Sequence, residues 1–355
     1  MVILLLPLVT AILLLVQPPP KYASPQSPNA MQIAMYQRLS DAGLKENELA
    51  TVAALTLGHK AALDKELRHH FQAAGAAHVL AVSGLHTGII YALLLGIMTL
   101  GGYYKPLHDN KVVRRTISLI IIVAMWLYAW LTGMTPSVVR AVLMLSIFEF
   151  GRMAYRQALS LNTVAAAAVL ILLVHPTDLW SVSFQLSFAA TAAIIVVMTH
   201  IAPALQVFWP RHPFWTKSIN VIVGTLLVTL AAQLGTLPIT IYYFHQVSTY
   251  FLLTNCIVLP LATLLVPCGL ISLALGGTLC GIWFTKITSA LAWALNHSVG
   301  WIESLPCSTF PAHIPSFSST ASAHTSLPFL ALYYLLFILL CITLSSIAQR
   351  DQNGV

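Results

Sequence analysis

Three polar residues stand at the mouth of an apolar run. From His78 to Gly102 the chain reads HVLAVSGLHTGIIYALLLGIMTLGG, and its first third carries His78, Ser83 and His86, with Gly84 and Gly88 among them. Three apart on a helix, Ser83 and His86 share a face, and His78 lies about 8–12 Å nearer the helix start. A hydroxyl beside an imidazole can act as nucleophile and base, or the two can line a polar path. The structural alternative makes Gly84 and Gly88 a small-residue packing strip, with Ser83 bonding back to a carbonyl. Polar groups at the entrance of a membrane helix face protein or water, because lipid cannot satisfy them.

Other isolated polar residues fall in other apolar stretches. Arg140 follows Pro136 by four residues in LTGMTPSVVRAVLM, with Ser137 one turn back. Gln185 stands in WSVSFQLSF beside Ser181 and Ser183, and Gln233 precedes Thr236, Pro238 and Thr240 in AAQLGTLPITIYYF. Asn255 lies in YFLLTNCIVLP. Taken singly, an intramembrane amide is as much a helix–helix hydrogen bond as a ligand, Arg140 can snorkel outward, and Pro238 can be a packing kink. Taken together they place a cation, amides and hydroxyls at one level. The five cysteines have neither paired nor metal-ligand spacing, so they read as small hydrophobes. There is no phosphate-binding glycine loop and no His-x-His-x-Asp cluster. No catalytic residue, metal ligand or cofactor is assigned.

The elements that must position these residues are membrane helices. The chain is 58% hydrophobic and 8% charged, with a mean hydropathy of +0.83, where a soluble domain is about 25% charged. The fold class is all-α: a polytopic transmembrane helix bundle with an amphipathic interfacial segment. Residues 1–17 read as a truncated membrane helix, 18–29 as a Pro/Ser-rich linker, and 30–76 as amphipathic interfacial helices. In that segment Lys60, Asp64 and Arg68 are spaced as i,i+4 charge pairs, Leu63, Leu67 and Phe71 form an apolar stripe, and Gly58 separates an earlier helix near 43–57. Residues 77–348 form the transmembrane helical domain and 349–355 a tail. Within it, spans are predicted near 80–101, 116–132, 136–151, 161–175, 181–201 and 218–236, and a last one near 327–347. The run 250–283, interrupted by Pro260, Pro267 and Gly276-Gly277, is either two short passes or a kinked re-entrant pair, and 283–305 reads as an interface helix.

Loop charges orient the bundle. Loops 102–115, 152–159 and 202–217 hold eight Lys and Arg, while 132–136, 175–180 and 245–250 hold none. The basic loops therefore belong on the cytoplasmic side, and His78 begins its helix at the outer face. Glu149 is the one carboxylate inside a predicted span, one turn from Arg152. A proton relay or cation path would need Asp or Glu in the outer half. An arginine with neutral donors and no counter-carboxylate suits an anion path, for example one for a phosphodiester backbone.

HVLAVSGLHTGII, LTGMTPSVVRAVLM, SLNTVAAAAVLILLVHPTDLWSVSFQLSF and AQLGTLPITIYYFHQVSTYFLLTN occur in the order found in the ComEC family, and the chain resembles that family's competence domain from about residue 43 to 345. The resemblance implies a membrane channel that passes single-stranded DNA across the bacterial inner membrane during natural transformation, and not an enzyme. It carries functional interest onto His78, Ser83, Gly84, His86, Arg140, Gln185 and Asn255. It also implies a separate DNA-binding receptor and a cytoplasmic ATP-driven helicase as partners, with monomer or homodimer left open. Family members usually carry upstream membrane segments and an OB-like module, and some a metallo-hydrolase-like domain after the channel; neither is visible here. Thr87 and Ser183 stand where Val and Gly are expected. The alternatives are an intramembrane Ser/His hydrolase, which would lack an orienting carboxylate, and a secondary transporter for a small anion, which would lack an inverted repeat.

Overall fold

The computed structural model describes residues 29–80, 82–99, 111–154, 161–200, 216–244, 246–306 and 309–311. The predicted helix at 1–17, most of the linker 18–29, the last span near 327–347 and the tail lie outside the described residues. Eleven α-helices account for nearly all of what is described. The chain forms two compact units, one of residues 1–183 and 248–308, the other of 184–247 and 309–355.

The first unit opens with α1 (Ala30–Asp41), where Asn29 and Gln32 cap each other reciprocally, and α2 (Glu46–Leu57). Glu46 and Glu48 suit the positive end of α2, and Gly58, at φ 72°, ends it in the left-handed conformation open to glycine. From Leu49 to Leu57 every residue of α2 is buried, so this helix is a core element of the unit. A 3₁₀ turn (Lys60–Ala62) leads into α3 (Lys65–Ala73). The predicted Lys60–Asp64–Arg68 ladder does not form on one helix. Lys60 lies in the turn, Asp64 is the cap of α3 and accepts from the Leu67 amide, and Arg68 donates to the Lys60 carbonyl. The stripe Leu63, Leu67 and Phe71 is turned into the core.

Next come α4 (Gly84–Met98), α5 (Lys111–Leu131), α6 (Pro136–Met153) and α7 (Leu161–Val174). A second 3₁₀ turn (Pro176–Trp180) precedes α8 (Val182–His200). At 15 residues α4 is shorter than the predicted 80–101: it rises about 22 Å, against a hydrocarbon core of about 30 Å. Where two passes or a re-entrant pair were the options for 250–283, α10 (Phe251–Leu275) is one helix containing both Pro260 and Pro267. Gly277, at φ 88°, turns the chain into α11 (Leu279–Glu303). That helix buries Gly281, Thr285, Thr288, Ala292, Leu295, Val299 and Ile302 at alternating i+3 and i+4 steps and exposes Trp283, Trp293 and Trp301, the amphipathic pattern its sequence suggested. Ser272 and Thr288 hydroxyls meet at 3.0 Å between α10 and α11, and Thr51 of α2 reaches Asn296 at 2.8 Å.

In the second unit are α8 from Phe184 onward and α9 (Thr216–Phe244), which continues through Pro238 well beyond the predicted 218–236. A short strand pair, β1 (Gln246–Ser248) with β2 (Thr309–Pro311), is a small addition to an otherwise helical chain. Among the described residues four helices are long and apolar enough to cross a membrane: Lys111–Leu131, Val182–Thr199, Val223–Phe244 and Phe251–Leu275. The chain is a helical membrane protein.

Candidate substrate path

The turn between α5 and α6 is fixed before its arginine is reached. Gly133 (φ 76°) and Met134 (φ 53°) both adopt positive φ, and Pro136 occupies the first helical position, where its missing N–H is not needed. Gln32, buried on α1, donates from its amide to the Leu57 and Thr132 carbonyls at 2.8 and 3.1 Å. It thereby ties the end of α2 to the end of α5.

One turn into α6 stands Arg140, only 2% exposed, so the snorkelling alternative does not hold. Its Nη2 donates to the Ser183 Oγ at 2.7 Å, the Ser183 carbonyl at 2.9 Å and the Ser137 Oγ at 3.2 Å. The two hydroxyls are 3.3 Å apart. The Nε is buried with no hydrogen-bond partner among the described residues. The carboxylate nearest in sequence to Ser183 is Asp178, on the turn ahead of α8. No ion pair joins it to Arg140 among the described residues. The charge is held by neutral oxygens and is not cancelled, an arrangement that leaves its attraction for an anion intact.

On α4 the geometry departs from the predicted shared helix face. Ser83 is extended (φ −116°, ψ 175°) and is the cap before Gly84, so it meets His86 through a capping-box arrangement. The Ser83 amide donates to His86 Nδ1 at 3.1 Å, and the Ser83 Oγ lies 3.0 Å from the same nitrogen. An amide can only donate, so Nδ1 is the acceptor and the neutral ring carries its hydrogen on Nε2. His86 is 0% exposed, and Nε2 is buried without a partner among the described residues. The Nδ1 lone pair is already engaged by an amide, which is poor preparation for a base that must strip the Ser83 hydroxyl. His78 is exposed in the turn before the helix, not on it, with Nδ1 3.1 Å from the Gly75 carbonyl.

These two centres lie on touching elements. A Cβ placed at Gly84 would be 3.8 Å from the Cβ of Ala141, the neighbour of Arg140. Thr254, in the first turn of α10, donates to the Ala74 carbonyl at 2.7 Å, which fixes the stretch leading to His78 and Ser83. Beside it, Asn255 has its Oδ1 buried and unpartnered among the described residues. Ser83 thus meets His86, Arg140 meets Ser137 and Ser183, and Gly84 packs beside Ala141 between the two pairs, with Asn255 on the helix that anchors the loop before Ser83. Gln185 and Gln233 are half-buried in the second unit. Two participants carried weaker sequence signals. Ser183 carries only its place beside Gln185 and its departure from an expected Gly, and Gln32 announces itself only through the Asn-x-x-Gln cap at residues 29–32.

A helical membrane protein with an arginine buried among hydroxyls and a neutral histidine at an adjacent helix start defines the class. The chain belongs to the competence-protein family, whose model matches residues 55–346. It is similar to ComE operon protein 3 of Bacillus subtilis, 29% identical over 255 residues that cover 70% of this chain and 30% of that protein. Protein YcaI of Escherichia coli is 29% identical over 273 residues, covering 73% and 34%. Recombination protein 2 of Haemophilus influenzae is 26% identical over 229 residues, covering 64% and 28%. The chain spans about a third of the length of these curated relatives. No solved structure matches it.

Proposed function

We propose that this chain is the channel part of a DNA-uptake system, passing single-stranded DNA across the bacterial inner membrane during natural transformation. The observation that carries this reading is Arg140, a buried guanidinium held by neutral oxygens, on the helix whose next residue, Ala141, packs against Gly84 between Ser83 and His86. Family membership supports it, as do the operon and recombination names of the relatives. A phosphodiester contacts Arg, hydroxyls and neutral N–H donors, and a path that reads the backbone has little base preference. In this reading Arg140 offers the positive charge, Ser83, Ser137 and the His86 Nε2–H offer neutral donors, and His78, Gly84 and Asn255 belong to the same stretch of the route; Gln185 and Gln233 are proposed contacts of the second unit with the strand. The basic loops face the cytoplasm. A separate receptor delivers the strand and an ATP-driven helicase pulls it.

The engaged Nδ1 of His86 counts against the hydrolase. The experiment is uptake of labelled DNA in cells whose only copy is Arg140→Ala, Arg140→Lys or unaltered. A fall of about 10-fold or more with alanine and a partial fall with lysine is expected, since about 1.4 kcal/mol of lost stabilisation is tenfold. Uptake at the parental level in the alanine variant sinks the reading.

A further inference from the structure

Outside that site, the turn between α2 and α3 and the first turn of α3 hold three cations, Lys60, Lys65 and Arg68, against two carboxylates, Asp64 and Glu66. Arg68 donates from Nη2 to the Lys60 carbonyl, which holds its guanidinium over residue 60. Lys60, Lys65 and Arg68 are all exposed. The nearby carboxylates make their contacts with other groups. Asp64 accepts the Leu67 amide at 2.7 Å as the cap of α3, Glu66 faces His70 at 3.7 Å, and Glu303 is taken by His69 and His70. Among the described residues neither Lys60 nor Arg68 has an ion-pair partner. Although Lys60 as a whole is exposed, desolvation first and then the Arg68 charge hold its ammonium below its ordinary range. Two like charges kept side by side are relieved by an anion that accepts from both.

We infer that Lys60 and Arg68, with Lys65 beside them, form a capture site for the phosphates of a single-stranded nucleic acid, ahead of the path. The inference rests on the conduit reading for its choice of anion. The chain itself supplies the connection. Lys65 opens α3, which runs nine residues to Ala73, and the carbonyl of Ala74 is held by Thr254 at the start of the stretch that carries His78 and Ser83. A strand held here would lie about one short helix, roughly 14 Å, from that stretch.

The test measures binding of a fluorescent oligothymidylate to the full chain in zwitterionic nanodiscs across a salt series. Each lost phosphate contact on a single strand flattens the slope of log affinity against log salt by about 0.7. Lys60→Gln/Arg68→Gln should therefore flatten it by about 1.4 and weaken binding severalfold at low salt. The charge-conserving Lys60→Arg/Arg68→Lys should keep the parental slope. A slope unchanged in the glutamine pair, an equal loss in the charge-conserving pair, or no binding by the parent overturns the inference. So does lost binding to phosphatidylglycerol vesicles with oligonucleotide binding intact, which assigns the anion to lipid headgroups. A parental slope in the glutamine pair, alongside uptake that still depends on Arg140, removes the capture site alone. Uptake indifferent to Arg140 removes the conduit.

Discussion

Arg140 and Ser183 are joined twice, through the serine hydroxyl at 2.7 Å and its carbonyl at 2.9 Å, by the same guanidinium nitrogen. The carbonyl survives any substitution at residue 183 and the hydroxyl does not. Ser183→Ala removes one charge-assisted bond and leaves the other, so a loss of about 1.5–3 kcal/mol of stability is expected. Thermal unfolding of the detergent-solubilised chain measures it. No shift in the midpoint would mean that the residue 183 carbonyl and the Ser137 hydroxyl suffice to hold the guanidinium.

The two halves of this contact were unequally legible. Arg140 stood out because an arginine inside an apolar run demands an explanation, and Ser137 followed from its place one turn back. Ser183 stood out only as a serine in place of an expected glycine, and its pairing with Arg140 was not legible, because its carbonyl carries half of the interaction and a carbonyl has no sequence signature. The span positions near 116–132 and 181–201 were readable from hydropathy, since lipid enforces a long apolar run. The start of α4 was misplaced by several residues because Val79, Leu80 and Val82 are as apolar as the helix itself. They are buried in a turn by tertiary packing, and hydropathy does not separate a buried turn from a buried helix. Pro260 and Pro267 suggested a break that neighbouring helices make unnecessary.

A buried ionic cluster joins α4 and α6. Glu149, 0% exposed, accepts from the Tyr91 hydroxyl at 2.5 Å and from Arg152 at 2.8 Å, while Arg152 also reaches the Tyr91 oxygen at 3.2 Å. Arg152→Ala strands a buried carboxylate and should cost about 3 kcal/mol, the lower end for a buried pair because the arginine is partly solvated. Glu149→Gln leaves no charge behind and should cost less. The double variant should recover part of the arginine loss, a coupling that thermal melts of the four proteins would reveal. Strict additivity would rule out the pairing.

Packing in the second unit turns on one glycine. A Cβ at Gly235 would lie 2.5 Å from the Ala193 Cβ and 2.9 Å from the Ala189 carbonyl oxygen. Helix propensity favours alanine over glycine by about 1 kcal/mol. That gain is smaller than the cost of pushing two backbones apart, about 1–3 kcal/mol for an overpacked contact. Gly235→Ala should lower the thermal midpoint, whereas Gly224→Ala, with nothing within 4 Å of its Cβ position, should hold or raise it. The reverse ranking would contradict this packing of α8 on α9.

Acid should loosen the far end of α3. Glu303, the last residue of α11, is met by His69 at 2.9 Å and by His70. Partial burial opposes its ionisation, but hydrogen bonding and charge from His70, then from His69, outweigh it and hold the carboxyl below its usual 4.5. A carboxylate whose folded-state value is depressed contributes stability above its unfolded value, and that contribution is lost as pH falls through the folded one. The thermal midpoint of the parent should therefore drop between about pH 5 and pH 3 more steeply than that of Glu303→Gln, which has no carboxylate to protonate. Because α3 leads to the stretch held by Thr254, the same acid step should raise hydrogen exchange over residues 74–83. Parallel pH profiles for the two proteins would show that the histidines and Glu303 contribute no linked stability.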